Sequence, residues 1–443
     1  MQRCRNRYIV SGSLWIGLYL VLVLAPLFLL IVGPSPAGSG FLWDLSAAVG
    51  FAAAAMIGVM FILTARFKRA TAPFGIDIIY YFHRQIAWVG FLFLLAHPLL
   101  LLAADPRLVS FMRPGASPYH LDAGIAAFVA MSALMISSQW RKRLKIHYDA
   151  WRLWHVCLAI LAMVLSVVHI EGVGHYVGVP WKKGLWAAIA LSCLLVVLFV
   201  RVIKPASLLR RPYRVAEVIQ ERGDAWTLVL RPDGHAGVTF TAGQFAWLTL
   251  WHSPFALREH PFSFAGSAEK TGELRFTIKE LGDFTSRIGT SRVGQKAYVD
   301  APYGAFSLER LPAPGYCFIA GGIGIAPIMS MLRTLADRCD RRPLQLIYGY
   351  SSWDRLTLRE DIEALKSRLN LEVVYVLQQA QPGWDGETGL ISQELLARRL
   401  PADAAAREFF VCGPVPMIDA VEKGLHACRV PLSRIHSELF DMA

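Results

Sequence analysis

Two stretches of about twenty residues near the start of the chain, Leu14–Gly33 and Leu45–Ala65, carry no charged side chain at all. As a helix, a run of that length matches a hydrocarbon core of roughly 30 Å. Four more apolar runs follow: Gln85–Ala104, Ala123–Trp140, Leu153–Ile170 and Gly184–Val200. All of them precede about residue 203 of the 443, and the remainder reads as soluble α/β. The pattern predicts six membrane crossings, which put both termini on one side.

The net charge of +12 would suit nucleic acid if it were spread evenly, and it is not. Arg3, Arg5 and Arg7 precede the first crossing, and Arg66, Lys68 and Arg69 follow the second. Arg141, Lys142, Arg143, Lys145 and Arg152 lie between the fourth and fifth, and Arg201, Lys204, Arg210 and Arg211 follow the sixth. The loops on the other side hold Arg107, Arg113, Lys182 and Lys183, so the count is fifteen against four. The positive-inside rule reads this as cytoplasmic termini in a cytoplasmic (inner) membrane. The basic excess is then a topology signal, with lipid rather than nucleic acid as its partner. The first run is long for a cleaved signal peptide and reads as a retained anchor. The seven cysteines contain no C-x-x-C and none lies in an outer loop, so no disulfide, iron–sulfur cluster or zinc site is expected.

Ionisable residues inside crossings are costly and usually functional. Here the third crossing holds His83 and His97, and the fifth holds His155 and His169, each pair 14 residues apart. At about 100° per residue, 14 steps return to within roughly 40° of the same face while rising about 21 Å. Both helices run in the same direction, so His83 lies level with His155 and His97 with His169. Two facing imidazoles at one depth make a bis-histidine haem site, and two such layers make a wire across the bilayer. Gly90 and Ala162, midway along the two spacings, are small enough to leave room for flat macrocycles. Pro98 should bend the helix near the outer layer. Polar packing within a bundle, or a proton relay, is the alternative reading. His120 and His175 fall outside and could bind a metal acceptor, whereas His147, His235, His252, His426 and His436 read as surface or interface residues.

Residues Lys204–Pro212 are basic and proline-bounded, as a linker would be. After them Tyr213–Ile219, Trp226–Arg231, Phe245–Leu250, Leu274–Lys279 and Lys296–Val299 read as short strands of a small antiparallel barrel. From about residue 315 the strands Cys317–Ala320, Leu344–Tyr348, Glu372–Leu377 and Glu408–Cys412 alternate with helical stretches such as Ile328–Arg338 and Arg359–Leu369. That alternation predicts a parallel doubly wound sheet.

Several motifs lie on this frame. Phe82-His83-Arg84 with Ala87-Trp88 marks the third crossing. His260-Pro261-Phe262-Ser263 is followed by Leu281-Gly282-Asp283-Phe284-Thr285 and then Pro302-Tyr303-Gly304. Gly321-Gly322-Ile323-Gly324-Ile325-Ala326-Pro327 follows a strand and opens a helix, where a pyrophosphate can meet the helix N-terminus. Cys412-Gly413-Pro414 with Met417 ends a later strand, and Ser437-Glu438-Leu439-Phe440 lies near the end of the chain. Over nearly its whole length the chain resembles the ferric reductase/NADPH oxidase superfamily.

The resemblance implies a membrane all-α six-helix haem-binding bundle (residues 1–205), followed by an antiparallel β-barrel FAD domain (206–311) and a doubly wound α/β nicotinamide-binding domain (312–443). The implied cofactors are FAD, two b-type haems held by His83, His97, His155 and His169, and NADPH or NADH. Ser263 is expected near the flavin ring and Phe262 along the cofactor, with Pro261 between Phe262 and His260. Arg258 and His260 are expected at the phosphates, together with Gly282 and Thr285, and Lys279 is expected among the cofactor-binding residues. Gly321, Gly322, Gly324 and Pro327, with Cys412, Gly413 and Pro414, are expected around the nicotinamide cofactor, Cys412 as a neighbour rather than a nucleophile. Phe440 is expected to cover the flavin until nicotinamide displaces it, so the residues placed nearest the reaction are Ser263, Cys412 and Phe440. Many relatives carry an arginine after the Tyr-Gly strand end for the 2′-phosphate; here Tyr348-Gly349-Tyr350-Ser351-Ser352 lacks one. Arg355 or Ser352 could substitute, and the family usually takes NADPH.

The resemblance further implies electron flow from cytoplasmic NAD(P)H through FAD and the haems to an extracytoplasmic acceptor, a ferric chelate or oxygen. Oxidases of the family place an arginine from the second crossing and a histidine one turn past the outer ligand around oxygen. This chain has no Arg or Lys from Tyr8 to Ala65, and Leu101 stands one turn past His97. Both histidine spacings are 14, as in ferric reductases, and there is no EF-hand loop. The expectation is therefore ferric chelates, with superoxide production, electron donation to a periplasmic partner protein, and a non-enzymatic transport bundle as alternatives.

Overall fold

In the computed structural model, the described residues are 2–33, 36–67, 76–112 and 117–438. The chain divides into two compact units, one built mainly from Ile9–Ala70 and Ile78–Pro205, the other from Ala206 onwards.

The first unit is helical: α1 (Gln2–Ile31), α2 (Phe41–Thr64), α3 (Ile76–Ala104), α4 (Tyr119–Gln139), α5 (Tyr148–Val173) and α6 (Pro180–Leu198). Among the described residues, six helices are long and apolar enough to cross a membrane. Each covers most of its predicted run and begins before it, and the runs Gln85–Ala104 and Leu153–Ile170 lie wholly within α3 and α5, because a helix satisfies every backbone group internally and can continue through the interface. Large apolar side chains such as Phe28, Leu92, Val129 and Leu195 point outward, as lipid-facing residues do. The buried stripe of α2, Ala52 to Val59, is rich in alanine and includes Gly58. Small residues let neighbouring helices approach, and a Cβ on Gly58 would stand 3.1 Å from Ile189 and 3.3 Å from Met163. Helix α3 runs on through Pro98.

Lys182 departs from its expected place in an outer loop. It lies in the first turn of α6, fully buried, and its Nζ donates to the Leu30 carbonyl at the end of α1 at 2.6 Å. It therefore caps a helix C-terminus, a favourable place for a cation, and the exposed cations on that side are fewer than the sequence suggested.

The second unit contains two sheets. The first has the order β4-β3-β6-β1-β2-β5, from β1 (Tyr213–Glu221), β2 (Ala225–Pro232), β3 (Phe245–Leu250), β4 (His260–Ser263), β5 (Leu274–Lys279) and β6 (Lys296–Tyr303). Every pairing is antiparallel. Just past β4, the Ala265 N–H donates to the Arg275 carbonyl of β5, joining the two edges of the sheet into a barrel. The sixth strand, β4, was not expected from strand periodicity because it contains Pro261, which a ladder tolerates at a sheet edge. Leu228, Leu230, Leu248, Phe264 and Phe276 fill the interior.

The second sheet is parallel throughout, with the order β10-β9-β8-β7-β11-β12. Its strands are β7 (Tyr316–Gly321), β8 (Leu344–Tyr350), β9 (Leu371–Leu377), β10 (Glu387–Thr388), β11 (Glu408–Cys412) and β12 (Ile435–Glu438). Helices α7 (Ile325–Asp337), α8 (Arg359–Lys366), α9 (Gln393–Arg399) and α10 (Val415–Ala427) alternate with them. The short strands β10 and β12 escaped the sequence reading. From β7 the chain builds outward to β10, then returns to place β11 on the other side of β7. The order reverses between β7 and β11, and crevices at such switch points bind ligands beyond the carboxyl ends of the strands.

Candidate functional site: paired membrane histidines and a flavin–nicotinamide fold

The four membrane histidines form two facing pairs across α3 and α5. The ring centres of His83 and His155 are 6.4 Å apart with planes at 57°, and those of His97 and His169 are 6.1 Å apart at 73°. His97 Nδ1 lies 2.9 Å from the Ser46 carbonyl, and His169 Nδ1 lies 2.8 Å from the His120 carbonyl. A carbonyl only accepts, so Nδ1 carries the proton in both rings and Nε2 keeps a lone pair for a metal. His155 Nδ1 shares a hydrogen bond with Ser138 Oγ at 3.2 Å.

Two glycines make room for the outer rings. A Cβ on Gly50 would stand 2.9 Å from His97 Nδ1, and one on Gly124 would stand 2.6 Å from His169 Nδ1. Ser46 and Gly50 are one turn apart on α2, and His120 and Gly124 one turn apart on α4. Each helix thus offers a polar acceptor and a flat place to one imidazole. Gly90 faces Met56 and Met60 at ordinary contact distance, and Ala162 is fully buried. His120 packs its ring edge-on to Tyr119, and His175 lies 3.3 Å from Ser39 Oγ.

In the second unit, Ser263 ends β4 with its Oγ buried and without a hydrogen-bond partner among the described residues. Phe284 of the second flavin motif stacks on His260 at 3.9 Å and on Phe262 at 5.9 Å, with Trp251 at 5.0 Å. Pro261 sits opposite Trp247 in the β3–β4 ladder, and Arg258 Nη1 lies 3.0 Å from His252 Nε2. Thr285 Oγ1 accepts the Leu281 and Gly282 N–H groups at 2.8 and 3.0 Å, so it holds the turn itself. Above the Gly282 Cα there is open space. Lys279 Nζ sits 5.7 Å over the Tyr350 ring.

Helix α7 is fastened to the loop that follows Ser263. Arg333 donates to the Ala265 carbonyl at 2.6 Å, Ser330 to the Gly266 carbonyl at 2.7 Å, and the Ala268 N–H to Thr334 Oγ1 at 2.9 Å. These bonds fix the glycine-rich turn relative to the flavin motif.

The glycines of that turn divide into two kinds. A Cβ on Gly324 would stand 2.1 Å from the Cys412 carbonyl oxygen, and one on Gly321 would stand 2.4 Å from Met417 Sδ. A Cβ on Gly413 would meet Met417 at 2.6 Å. These three let the ends of β7 and β11 interlock. Gly322 has φ +55° and open space beside it, which is where a ligand can approach. Pro327 is buried in the first turn of α7, where its missing N–H costs little, and Pro414 caps α10. Cys412 is fully enclosed, and burial, aided by the Glu438 carboxylate, pushes its thiol well above the usual range. Any part it plays at the nicotinamide is therefore through its backbone, not as a thiolate. Arg355, offered for a 2′-phosphate, is ion-paired with Asp224 of the barrel. Phe440 lies outside the described residues.

Residues 49–166 match the family described as the ferric reductase like transmembrane component, and residues 318–423 match the oxidoreductase NAD-binding domain. The membrane region is similar to the ferric reductase like transmembrane component. The chain as a whole is thus a multi-pass membrane protein, a ferric reductase-like region followed by a reductase-type nucleotide-binding region. The NADH-cytochrome b5 reductase 2 of Scheffersomyces stipitis is 29% identical over 166 residues, covering 36% of this chain and 56% of the relative. The glycine betaine monooxygenase reductase subunit of Chromohalobacter salexigens is 27% identical over 241 residues, covering 52% of this chain and 64% of the relative. This ferric reductase-like chain therefore spans less than two thirds of either relative's length. A solved FAD/NAD-binding domain of the Vibrio cholerae nitric oxide dioxygenase is 22% identical with a TM-score of 0.46, over 52% of this chain and 97% of that one.

The residues of the ferric reductase-like region fit haem. Two imidazoles bound from opposite sides of one metal at about 2.0–2.1 Å, each ring centre about 1.1 Å beyond its nitrogen, have centres about 6.3 Å apart. Among the described residues there is no group of three or more His, Cys, Asp or Glu that could hold a metal. A site of two histidines suits a metal that brings its other donors with it, as a porphyrin does. Sequence reasoning missed Ser46, Gly50, Gly124 and Ser138; the available signal was a polar and a small residue one turn apart inside crossings.

The barrel fits flavin through Ser263, whose buried hydroxyl lacks a partner among the described residues. An unsatisfied buried hydroxyl costs about 1–3 kcal/mol. Ser263→Ala is therefore expected to leave the thermal midpoint of flavin-free protein unchanged or higher, while slowing flavin reduction by NADH about 100-fold. Stopped-flow flavin bleaching, set beside a melt, checks both; equal bleaching rates would remove Ser263 from the flavin site.

Proposed function

We propose that this protein is an NAD(P)H-dependent transmembrane oxidoreductase that carries electrons through FAD and two b-type haems to a ferric chelate across the membrane. The observation that carries the reading is the pair of imidazole layers, 6.4 and 6.1 Å between ring centres, on two helices of a chain that also contains flavin and nicotinamide folds. Bound FAD accepts a hydride and releases single electrons, and bound haem iron holds one electron at a time.

The chain's own residues supply position and polarity. His83 with His155, and His97 with His169, would each hold one haem iron between them. Ser263 would donate to the flavin edge, and the stacked rings of Phe262, His260 and Phe284 would line it. Gly322 and the N-terminus of α7 receive the nicotinamide pyrophosphate. Arg258 and Lys279 add positive charge on the phosphate side. The pairing of Arg355 with Asp224 engages the cation offered for a 2′-phosphate and favours NADH as donor. The Scheffersomyces relative is named for NADH and cytochrome b5, a donor and a haem protein, which supports the same coupling. The basic residues flanking α1, α2, α4, α5 and α6 support cytoplasmic termini.

The test uses purified full-length protein loaded with FAD and haem. Anaerobic NADH should bring up reduced b-type haem bands, and a ferric chelate should reoxidise them faster than air-saturated buffer. Absence of haem reduction overturns the electron path, and faster reoxidation by oxygen overturns the choice of acceptor.

A further inference from the structure

The two histidine pairs differ in what their outer nitrogens touch. His97 Nδ1 has two oxygens of Ser46 at 2.9 Å, the carbonyl and the hydroxyl. Ser46 is fully buried, and its hydroxyl donates to the His97 carbonyl at 2.7 Å, which leaves its oxygen free to accept from the ring. His169 Nδ1 has the His120 carbonyl at 2.8 Å. In the other layer, the Ser138 hydroxyl is 3.2 Å from His155 Nδ1 and also accepts the Trp151 indole N–H at 3.3 Å. His83 Nδ1 is buried with no partner among the described residues.

An acceptor that pulls on the Nδ1 proton makes Nε2 a stronger donor. A stronger axial donor stabilises the oxidised iron, and the hydrogen bonding of an axial ligand is one of the levers a protein has on haem potential. One layer has firm acceptors on both rings. The other has a single shared hydroxyl on one ring and, among the described residues, nothing on the second.

The fixed charges point the same way. The Arg141 guanidinium lies 5.8 Å over the Trp151 ring, which is 5.2 Å from the His155 ring. Positive charge favours the electron-rich state of a nearby centre. At the other layer, Asp44 stands two residues from Ser46, and Asp122 stands between His120 and Gly124. Lys182, buried on that side, opposes them in part.

We propose that the chain sets the two haem sites at unequal reduction potentials, His83/His155 the higher and His97/His169 the lower, through the Nδ1 partners of the ligands. A single electron in the loaded membrane region then resides mainly at His83/His155, and the His97/His169 site, once reduced, is the stronger reductant. Ser46 and Ser138 are positioning residues in this scheme. The inference rests on the haem reading and can fail separately from it.

The test is an anaerobic potentiometric titration of full-length, haem-loaded protein, followed at the reduced b-type band. Two midpoints are expected. His97→Ala should lose the lower component together with half the haem. Ser46→Ala should raise the lower midpoint and leave the upper in place, and Ser138→Ala should raise the upper and leave the lower. A single shared midpoint, loss of the upper component in His97→Ala, or a Ser46→Ala that moves the upper midpoint or neither overturns the ordering while the haem reading stands. Protein without b-type haem, or a His97→Ala that retains all of it, overturns both.

Discussion

Alanine at His97 or at His169 is expected to halve the haem content and to lower reduction of an external ferric chelate on the order of 100-fold or more, with NADH oxidation by ferricyanide retained. The magnitude follows from coordination chemistry: residues that only orient a metal ligand typically contribute 10–100-fold to metal affinity, and a ligand itself contributes more. The selectivity follows from geometry. His97 and His169 face each other at 6.1 Å, while His83 and His155 face each other at 6.4 Å in a separate layer of the same two helices. The mutated pair leaves the other intact, and the flavin and nicotinamide folds lie in a different compact unit. Pyridine haemochrome measures the haem, and parallel assays with ferricyanide and a ferric chelate separate the front of the path from its end. Equal loss of both activities would mean that the substitution unfolds the protein. Undiminished chelate reduction would mean that electrons leave by a route that does not need this pair.

How much of this was legible in the sequence depends on the distance over which each residue acts. The six crossings were legible because the bilayer leaves a charge-free twenty-residue run no other structure. The facing of His83 with His155 and of His97 with His169 needed only helical period and topology. Strand β4 was hidden because Pro261 breaks the usual strand signature, although its motif was plain. Ser46, Gly50 and Gly124 were hidden because their function is to meet a ring on another helix, and a single helix read alone shows only small residues. Lys182 sits at the boundary between loop and helix, and only the end of α1 determines that it is buried. The glycine-rich turn was read as one phosphate loop because nothing in its own sequence shows that Gly324 lies against Cys412.

That last contact gives the sharpest contrast available within one motif. Gly324→Ala is expected to abolish NADH oxidation and lower the thermal midpoint, whereas Gly322→Ala should keep the midpoint close to normal and raise KM for NADH. At Gly324 the new methyl would stand 2.1 Å from the Cys412 carbonyl oxygen, 2.5 Å from its carbon and 2.8 Å from the Gly413 nitrogen. All three are backbone atoms of the neighbouring parallel strand end, paired to β7 through Cys412 and Ala320, so no rotamer change relieves the clash. Overpacking of this kind costs about 1–3 kcal/mol where side chains can adjust, and here the turns themselves must part, which opens the switch-point crevice. At Gly322 nothing among the described residues lies within 4 Å, and the positive φ of +55° carries a penalty of about 1–2 kcal/mol for a residue with a Cβ. The methyl there would project into the open space at the start of α7, where the pyrophosphate of the cofactor is expected, and would weaken binding without loosening the fold. Melts of full-length protein in detergent, with and without NADH, and steady-state kinetics with ferricyanide distinguish the two. Gly324→Ala with a normal midpoint and normal turnover would show that the β7 and β11 turns do not interlock. An unchanged KM in Gly322→Ala would move the nicotinamide phosphate away from this helix end.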